Sequence, residues 1–364
     1  MELYREGKAE IINNGKAFLN KEAKFSRDIS IAFAKSFKKP LTSVLDPTAA
    51  TGIRGIRYML EAGIEDAIFL DINKSAYEAL IENIKNNRLQ ATATNISIQE
   101  FANTTSKKFE LIDLDPFGSP APYIYDLLKV VKDNTYMMIT ATDTAVLCGA
   151  HPNACLRIYD SKPIHSNMCH EVGLRILAGY VARVAAQFNY GTSILLAFSH
   201  KHYMRIFTRF NHGAANASKT LSMLGYMFQC SKCGYVSHSN KAFPELFKCP
   251  ICGNKLDIGG KLWIGNLYNV DTVKGIIKNL ESNSEAARLI ESIIEEVDIP
   301  GFFYIPKITG LMKIGAISHF KLIDCLRKKG FKASQTHLKE SSIKTDAGIL
   351  DIRDCVSTIN LEKS

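Results

Sequence analysis

The sequence predicts a doubly wound α/β sheet over residues 1–213, followed by a smaller α+β part over residues 214–364. Three observations carry this expectation. Between residues 42 and 145, short apolar runs ending in Asp alternate with amphipathic stretches of helical length, which is how a parallel sheet with crossover helices reads. Residues 192–210 are rich in β-branched and aromatic side chains and read as two antiparallel strands finishing that sheet. After Gly213 the composition changes, first to the small-residue stretch HGAANASKT, read as a linker, and then to two closely spaced cysteine pairs.

The strand candidates are TSVLD (42–46), AIFLD (67–71), FELIDLD (109–115) and YMMITATD (136–143). Between them residues 52–62, 74–88 and 120–131 have the length and apolar spacing of crossover helices, and a further helix is expected over 169–188. In such a sheet the loops at the carboxyl ends of the strands hold the ligand. Residues 271–297 read as a helical segment. Its three basic and seven acidic residues over 271–298 mark a solvated face rather than a contact with nucleic acid. Residues 318–344 are the opposite, with seven Lys or Arg against two acids. A helix over 319–329, Gly330 as its C′ residue and an extended tail make residues 300–350 winged-helix-like.

Length and charge bound the function. The 364 residues exceed one ordinary domain of about 150 residues. The 45 Lys and Arg outweigh 36 Asp and Glu, leaving a formal charge of +9, so a polyanionic partner is plausible. The first residues, MELYREGKAEII, are too charged for a secretory signal, and no apolar run reaches the length of about 18 residues that spans a bilayer. A reducing cytoplasm is the expected location, and four of the nine cysteines form two CxxC pairs that suit it.

Those pairs, Cys230/Cys233 and Cys249/Cys252, are separated by 15 residues, and each precedes a glycine (SKCGY, CPICGN). Two such knuckles offer four thiolates tetrahedrally to Zn2+ in a closed site with no position for water, so the expected role is structural. Redox use of the pairs is the minor alternative. Cys148 and Cys155 read as small core residues, and His151, His165 and His170 as ordinary core or surface histidines.

Chemistry is expected at three strand ends. DPTAATGIRG (46–55) turns from strand into helix, and its Gly52 lets a ligand approach the backbone and the helix N-terminus. It lacks the GxGxxG of a dinucleotide site. S-adenosylmethionine fits better, because its sulfonium and ammonium charges suit a carboxylate such as Asp46. Asp71, 25 positions on, suits both hydroxyls of an adenosine ribose. IQEFAN follows the next strand, where an adenine edge sits in this type of fold. Asp115-Pro116-Phe117-Gly118 resembles the (D/N)PP(Y/F) loop of methyltransferases that modify exocyclic amines of bases. The lone pair of such an amine is conjugated into the ring. Asp115 and the Pro116 carbonyl accept its hydrogens and orient the lone pair, while Phe117 stacks on the base. Each of these turns has a plain structural reading as well.

Taken together, the motifs resemble the Trm1 family of tRNA (guanine-N2)-dimethyltransferases, which modify the guanine at tRNA position 26. The matching stretches run from end to end: REGKAEI, SRDIS, ATGIRGIR, DLDPFGSP, ATDTAVLCGAHPNACLR, CHEVGLRIL and THLKESSIKTDA. The resemblance implies a class I S-adenosylmethionine-dependent methyltransferase (Rossmann-like) fold, with a C-terminal α+β domain that binds tRNA and contains a four-cysteine zinc-binding insert at about 226–265. Carried over by position, Asp115 accepts the amine proton, and Phe18 and Phe117 sandwich the guanine. Arg27, Asp46, Gly52, Arg57, Asp71 and the segment Glu100, Phe101, Ala102 bind the donor. The family often has an acidic residue directly before Ala-Asn, where this chain has Phe101, so the adenine contact falls to Glu100 or to backbone amides. No obligate protein partner is implied. A methyltransferase acting on adenine N6 of DNA and a zinc-ribbon nucleic-acid-binding factor with a relic sheet are the rival readings. The first is separated by the substrate methylated and the second by donor binding.

Overall fold

The alternating apolar runs form one sheet in the computed structural model, which describes residues 2–241 and 247–361. Residues 242–246 of the expected zinc-binding insert lie outside the described residues. The chain opens with a hairpin of β1 (Glu2–Glu6) and β2 (Ala9–Asn13), followed by a 3-10 turn at Lys21–Ala23 and α1 (Lys24–Lys35). Then come β3 (Ser43–Asp46), α2 (Ile53–Ala62), β4 (Asp66–Leu70), α3 (Lys74–Asn86), β5 (Thr92–Thr94), α4 (Ile98–Thr104), β6 (Phe109–Leu114), α5 (Ala121–Leu128) and β7 (Val131–Ala141). Short α6 (Thr144–Leu147) and α7 (Pro152–Tyr159) lead to α8 (Cys169–Gln187) and the antiparallel pair β8 (Tyr190–His200) and β9 (Tyr203–His212).

The sheet order is β5-β4-β3-β6-β7-β9-β8, parallel up to β7 and antiparallel from β7 to β9 and β8. The winding direction reverses between β3 and β6, and that is where an α/β sheet opens a crevice at its carboxyl edge. Both faces are covered, so the strands read as continuous apolar runs. Ile29 and Phe33 of α1, Ile56 of α2 and Leu80 of α3 pack on one face, and Phe101 of α4, Ile124 of α5 and Val181 of α8 on the other. The hairpin β1–β2 and α1 are additions to the elements expected from the sequence.

The remaining elements are α9 (Ala214–Leu221), β10 (Leu224–Gln229), β11 (Val236–Ser239), β12 (Asp257–Trp263), α10 (Val270–Ile277), α11 (Glu285–Glu295), β13 (Phe303–Tyr304), α12 (Ile305–Met312), α13 (His319–Lys328), β14 (Ala333–Gln335), β15 (Ser342–Thr345) and α14 (Ile349–Leu361). The expected linker after Gly213 is α9. Its alanines favour helix, and Thr220 accepts a hydrogen bond from Thr192 N at 2.8 Å, fixing α9 against the edge strand β8. The single helical segment expected over 271–297 is two helices. Asn283 takes φ +64° between them, and the Ser284 side chain caps α11 by accepting from Ala287 N at 3.1 Å. Val273, Ile276, Ile290 and Ile293 of these helices join the same core as α1.

The end of the chain has its own core around Leu322, Ile343 and Ile352. There α12 and α13 are followed by the hairpin β14–β15, and Gly330, at φ +89°, makes the left-handed turn after α13. The extended tail expected after Gly330 contains this hairpin and then α14. Cys325 of α13 and Cys355 of α14 form a disulfide, a pairing that no spacing in the sequence announces.

Candidate active site

The carboxyl ends of β3, β4, β6 and β7 open on a cavity of about 760 Å³. Residues from the turn after β3 (Asp46 to Thr51, Ile53, Arg54), the end of β4 (Asp71 to Asn73), the start of α4 (Ser97 to Gln99) and the loop after β6 (Asp115 to Phe117) line it. Phe18, Ser26 and Arg27 from the N-terminal segment and Thr140, Thr142 and Tyr203 complete the lining. The topological reversal thus brings the three motif loops into one crevice.

Asp113 and Asp115 are two residues apart in DLD, at the end of β6. Asp113 is fully buried. Arg205 Nη2 reaches its two carboxylate oxygens at 2.7 and 2.8 Å, Arg54 Nη1 lies at 3.3 Å, and Tyr58 donates its hydroxyl to it. Arg54 Nη2 donates to the Asp115 carboxylate. Burial pushes the Asp115 carboxyl up, but the Arg54 guanidinium, with Arg205 and Thr140 behind it, outweighs burial and holds the group below its ordinary value. Asp115 therefore presents an ionised carboxylate to the cavity. Sequence motifs alone do not point to Arg54, Arg205 or Tyr58. The available signal is the i, i+2 spacing of Asp113 and Asp115, which leaves a buried charge in need of a cation.

Asp46 is buried, and its Oδ2 accepts from Gly55 N at 3.2 Å. Burial, reinforced by Asp113 and Asp115 and only partly opposed by Arg54, raises its carboxyl to about 7. Asp71 holds the motif turn, accepting from Ala50 N at 2.9 Å and from Asn73 N at 2.8 Å. Ala50 and Gly52 both take left-handed φ, +47° and +79°. Gly52 precedes α2 at this left-handed φ, where any side chain is strained, and a Cβ there would also meet Leu80 Cδ1 at 2.4 Å, so the turn requires glycine. Gly52 lies behind the cavity rather than in its lining.

The other residues implied by the resemblance divide. Arg27 lines the cavity, with its fork committed to Glu6 at 2.6 and 2.5 Å and to the Asn20 carbonyl. Arg57 lies outside the lining and pairs with Glu6, Asp28 and Glu61, tying α2 to the hairpin β1–β2. Glu100 is exposed, Phe101 and Ala102 face the core, and the cavity instead meets α4 at Ser97 to Gln99. Phe18 and Phe117 stand at the cavity mouth, 56 and 76% exposed, with ring centroids 4.9 Å apart and planes at 61°. Edge-to-face contact leaves no slot between them, so a stacked base displaces that contact. Ser119 and Tyr159 hold the turn below Phe117. The Ser119 hydroxyl lies 2.7 Å from Tyr159 OH, and Tyr159 OH donates to Asp143 at 2.9 Å.

In the insert, Cys230, Cys233, Cys249 and Cys252 converge, all four Sγ atoms within 4.8 Å of one another. Gly234 N and Gly253 N close matching knuckles on the Cys230 and Cys249 carbonyls at 3.0 and 2.9 Å, with both glycines at left-handed φ. Four soft donors in that arrangement are compatible with zinc.

A seven-stranded sheet of this order, with acids at the ends of β3 and β4 and an Asp-Pro-Phe loop after β6, defines a class I methyltransferase fold. The chain is 32% identical to a solved structure of Trm1 from Pyrococcus horikoshii in complex with S-adenosyl-L-methionine, with a TM-score of 0.90 over 98% of this chain and 99% of that one. It is 34% identical to the tRNA (guanine(26)-N(2))-dimethyltransferase of Methanothermobacter thermautotrophicus, over 93% of this chain and 92% of that one. It is 35% identical to the enzyme of the same name from Pyrococcus furiosus, over 95 and 96% of the two chains. The family model for N2,N2-dimethylguanosine tRNA methyltransferase matches residues 2–357, and the chain belongs to that family.

Proposed function

We propose that this chain is a tRNA (guanine26-N2)-dimethyltransferase, transferring one or two methyl groups from S-adenosylmethionine to the exocyclic N2 of guanine 26. The observation that carries the reading is the ionised Asp115 carboxylate in a donor-sized cavity, beneath two exposed aromatic rings. The residues fit the donor. Asp71 has carboxylate lone pairs for the ribose hydroxyls, the Asp46 carboxylate suits a cationic head, and Ile96, Ile98 and Gln99 offer an apolar and amide surface to adenine. When bound, the donor supplies an electrophilic methyl group.

The protein's part is to present the amine. Guanine 26 leaves its stack, and Phe117, with Phe18 beside it, takes the base, a stacking contact of about 1–3 kcal/mol. Asp115 and the Pro116 carbonyl accept the N2 hydrogens, which turns the nitrogen lone pair away from the ring, and Asp115 takes the proton released. Arg54 keeps Asp115 ionised and oriented. Repetition on N2-methylguanine gives the dimethyl product.

Residues 1–213 form the catalytic domain in this reading and residues 214–364 the tRNA-binding domain, with Zn2+ on the four cysteines holding the insert rigid. The enzyme works in the cytoplasm. Among the described residues no helix is long and apolar enough to cross a membrane.

Donor binding is expected to depend on pH through Asp46. Its carboxyl titrates at about 7. A cationic donor prefers the ionised form, so below that pH binding must expel a proton and affinity falls. The Kd is expected to weaken about tenfold between pH 8 and pH 6, and Asp46→Asn to flatten the dependence, both read by calorimetry. Charge reversal at Lys328 and Lys332, exposed at the end of α13 and before β14, is expected to weaken tRNA binding and shallow its salt dependence by about one unit of slope per lysine, with donor affinity unchanged. The reaction itself is tested with labelled donor and unmodified tRNA. Incorporation is expected into the guanine-26 transcript and not into its G26→A variant, and equal labelling of both contradicts the assignment.

A further inference from the structure

Away from the cavity and from the four-cysteine knuckles lies a second cluster of soft donors. The Cys148 and Cys169 Sγ atoms and a ring nitrogen of His170 all lie within 4.8 Å of one another. The described residues bring three or more possible metal donors this close at only one other place, the four-cysteine site. All three side chains are half-buried, and none lines the donor cavity.

The surrounding backbone holds the cluster together. Cys148 caps the end of α6, with its N–H on the Thr144 carbonyl at 2.7 Å. Cys169 and His170 are the first two residues of the 19-residue α8, where the helix dipole favours a thiolate. Gly149, at φ +89°, lets the chain pass against residue 165. A Cβ there would meet His165 N at 3.1 Å, and His165 Nδ1 sits 3.1 Å from the Cys148 carbonyl oxygen. Two segments 17 residues apart are thus pressed together at the point where the three donors meet. By sequence, Cys148 reads as a small core residue and His165 and His170 as ordinary histidines. Only the tertiary approach of α6 to α8 sets Cys148 beside Cys169 and His170.

We propose that Cys148, Cys169 and His170 form a second metal site, taking a thiophilic divalent cation of the zinc class. Two thiolates and one imidazole neutralise such an ion and supply three corners of a tetrahedron, leaving the fourth to water or to the neighbouring His165. The ion ties the end of α6 to the start of α8. The segment so fixed begins at Asp143, whose carboxylate holds Tyr159 and, through it, Ser119 of the catalytic turn. The site braces the loop that carries Asp115 and Phe117 and takes no part in the chemistry. Its occupancy is read separately from methyl transfer and from the metal on the four knuckle cysteines.

The test is the metal content of the full chain, purified with reductant and exposed to Zn2+ alone, then freed of loosely held ion. Cys148→Ser and Cys169→Ser are each expected to lose one equivalent relative to the unmodified protein, while Cys249→Ser loses a different one and Cys148→Ser with Cys249→Ser loses both. A poorly folded variant is bypassed by loading the unmodified chain with Co2+. Its sulfur-to-cobalt charge-transfer absorption is expected to rise in two stages, the second with about half the intensity of the first, as two thiolates compare with four. Equal metal content in the unmodified protein and the Cys148 and Cys169 variants overturns the proposal. So does a single-stage cobalt titration, or a Cys148–Cys169 disulfide as the stable form of the metal-treated protein.

Discussion

Asp115→Ala is expected to lower methyl transfer by about 10²–10⁴-fold, the range for removing a positioned proton acceptor, while tRNA affinity stays within a few fold. The carboxylate is 31% exposed to the cavity, and its one strong partner is Arg54, which keeps a second carboxylate in Asp113 when Asp115 is removed. The fold therefore has no stake in Asp115 comparable with the stake of the reaction. Asp115→Asn sharpens the test, because an amide preserves the shape and can accept a hydrogen bond but cannot take the proton. Single-turnover measurements with saturating donor and tRNA separate chemistry from product release, and single-turnover activity retained in Asp115→Ala sinks the role assigned to it. Arg54→Met is a companion to this result, and its expected signature is a shift of the acid limb of the pH–rate profile to higher pH as Asp115 loses its cation.

Arg205→Met is expected to destabilise the fold by about 3 kcal/mol, because the buried Asp113 carboxylate loses the cation that meets both its oxygens and keeps only the longer Arg54 contact and the Tyr58 hydroxyl. Arg205 and Asp113 are both fully buried, and their pairing at 2.7 Å links β9 to β6 across β7 in the middle of the sheet. Arg205 Nη2 also meets Ser30 Oγ of α1 at 2.8 Å. Urea denaturation followed by far-UV circular dichroism reads the loss as a lower midpoint with an unchanged slope. The double variant Arg205→Met with Asp113→Leu is expected to recover part of that stability, since it removes both charges together. A single variant as stable as the unmodified protein would mean that the pair is not buried in solution.

These two residues also mark how far the sequence can be read. The strand ends, the Asp-Pro-Phe loop and the cysteine knuckles are local patterns, and each sits where its spacing places it. Which charged side chains face inward is a tertiary property. Arg205 belongs to the acid-free stretch 201–219, and Lys344 to the basic stretch 318–344; both stretches look like surfaces for a polyanion. Yet Lys344 is buried against Glu296 at 3.0 Å and Glu171 at 3.5 Å, fastening β15 to α8. The basic surface that remains on α13 and after it is Lys321, Arg327, Lys328, Lys329, Lys332 and the half-buried Lys339, with Lys329 paired to Asp354.

Within α2 the same limit applies at close range. Arg54 and Arg57 are three residues apart, and nothing in ATGIRGIR says which one reaches the active site. The hairpin β1–β2, whose Glu6 is buried, captures Arg57 and leaves Arg54 to Asp115. In α4 the helical period turns Phe101 and Ala102 into the core, so the cavity meets the residues one turn earlier. Proximity in the motif is legible, but the direction of each side chain is not.

Unmodified tRNA incubated with the protein and S-adenosylmethionine, digested to nucleosides and to mapped oligonucleotides, and analysed by mass spectrometry, is expected to yield N2-methylguanosine and N2,N2-dimethylguanosine at position 26. Absence of both nucleosides, or methylation confined to another base, would contradict the assigned reaction.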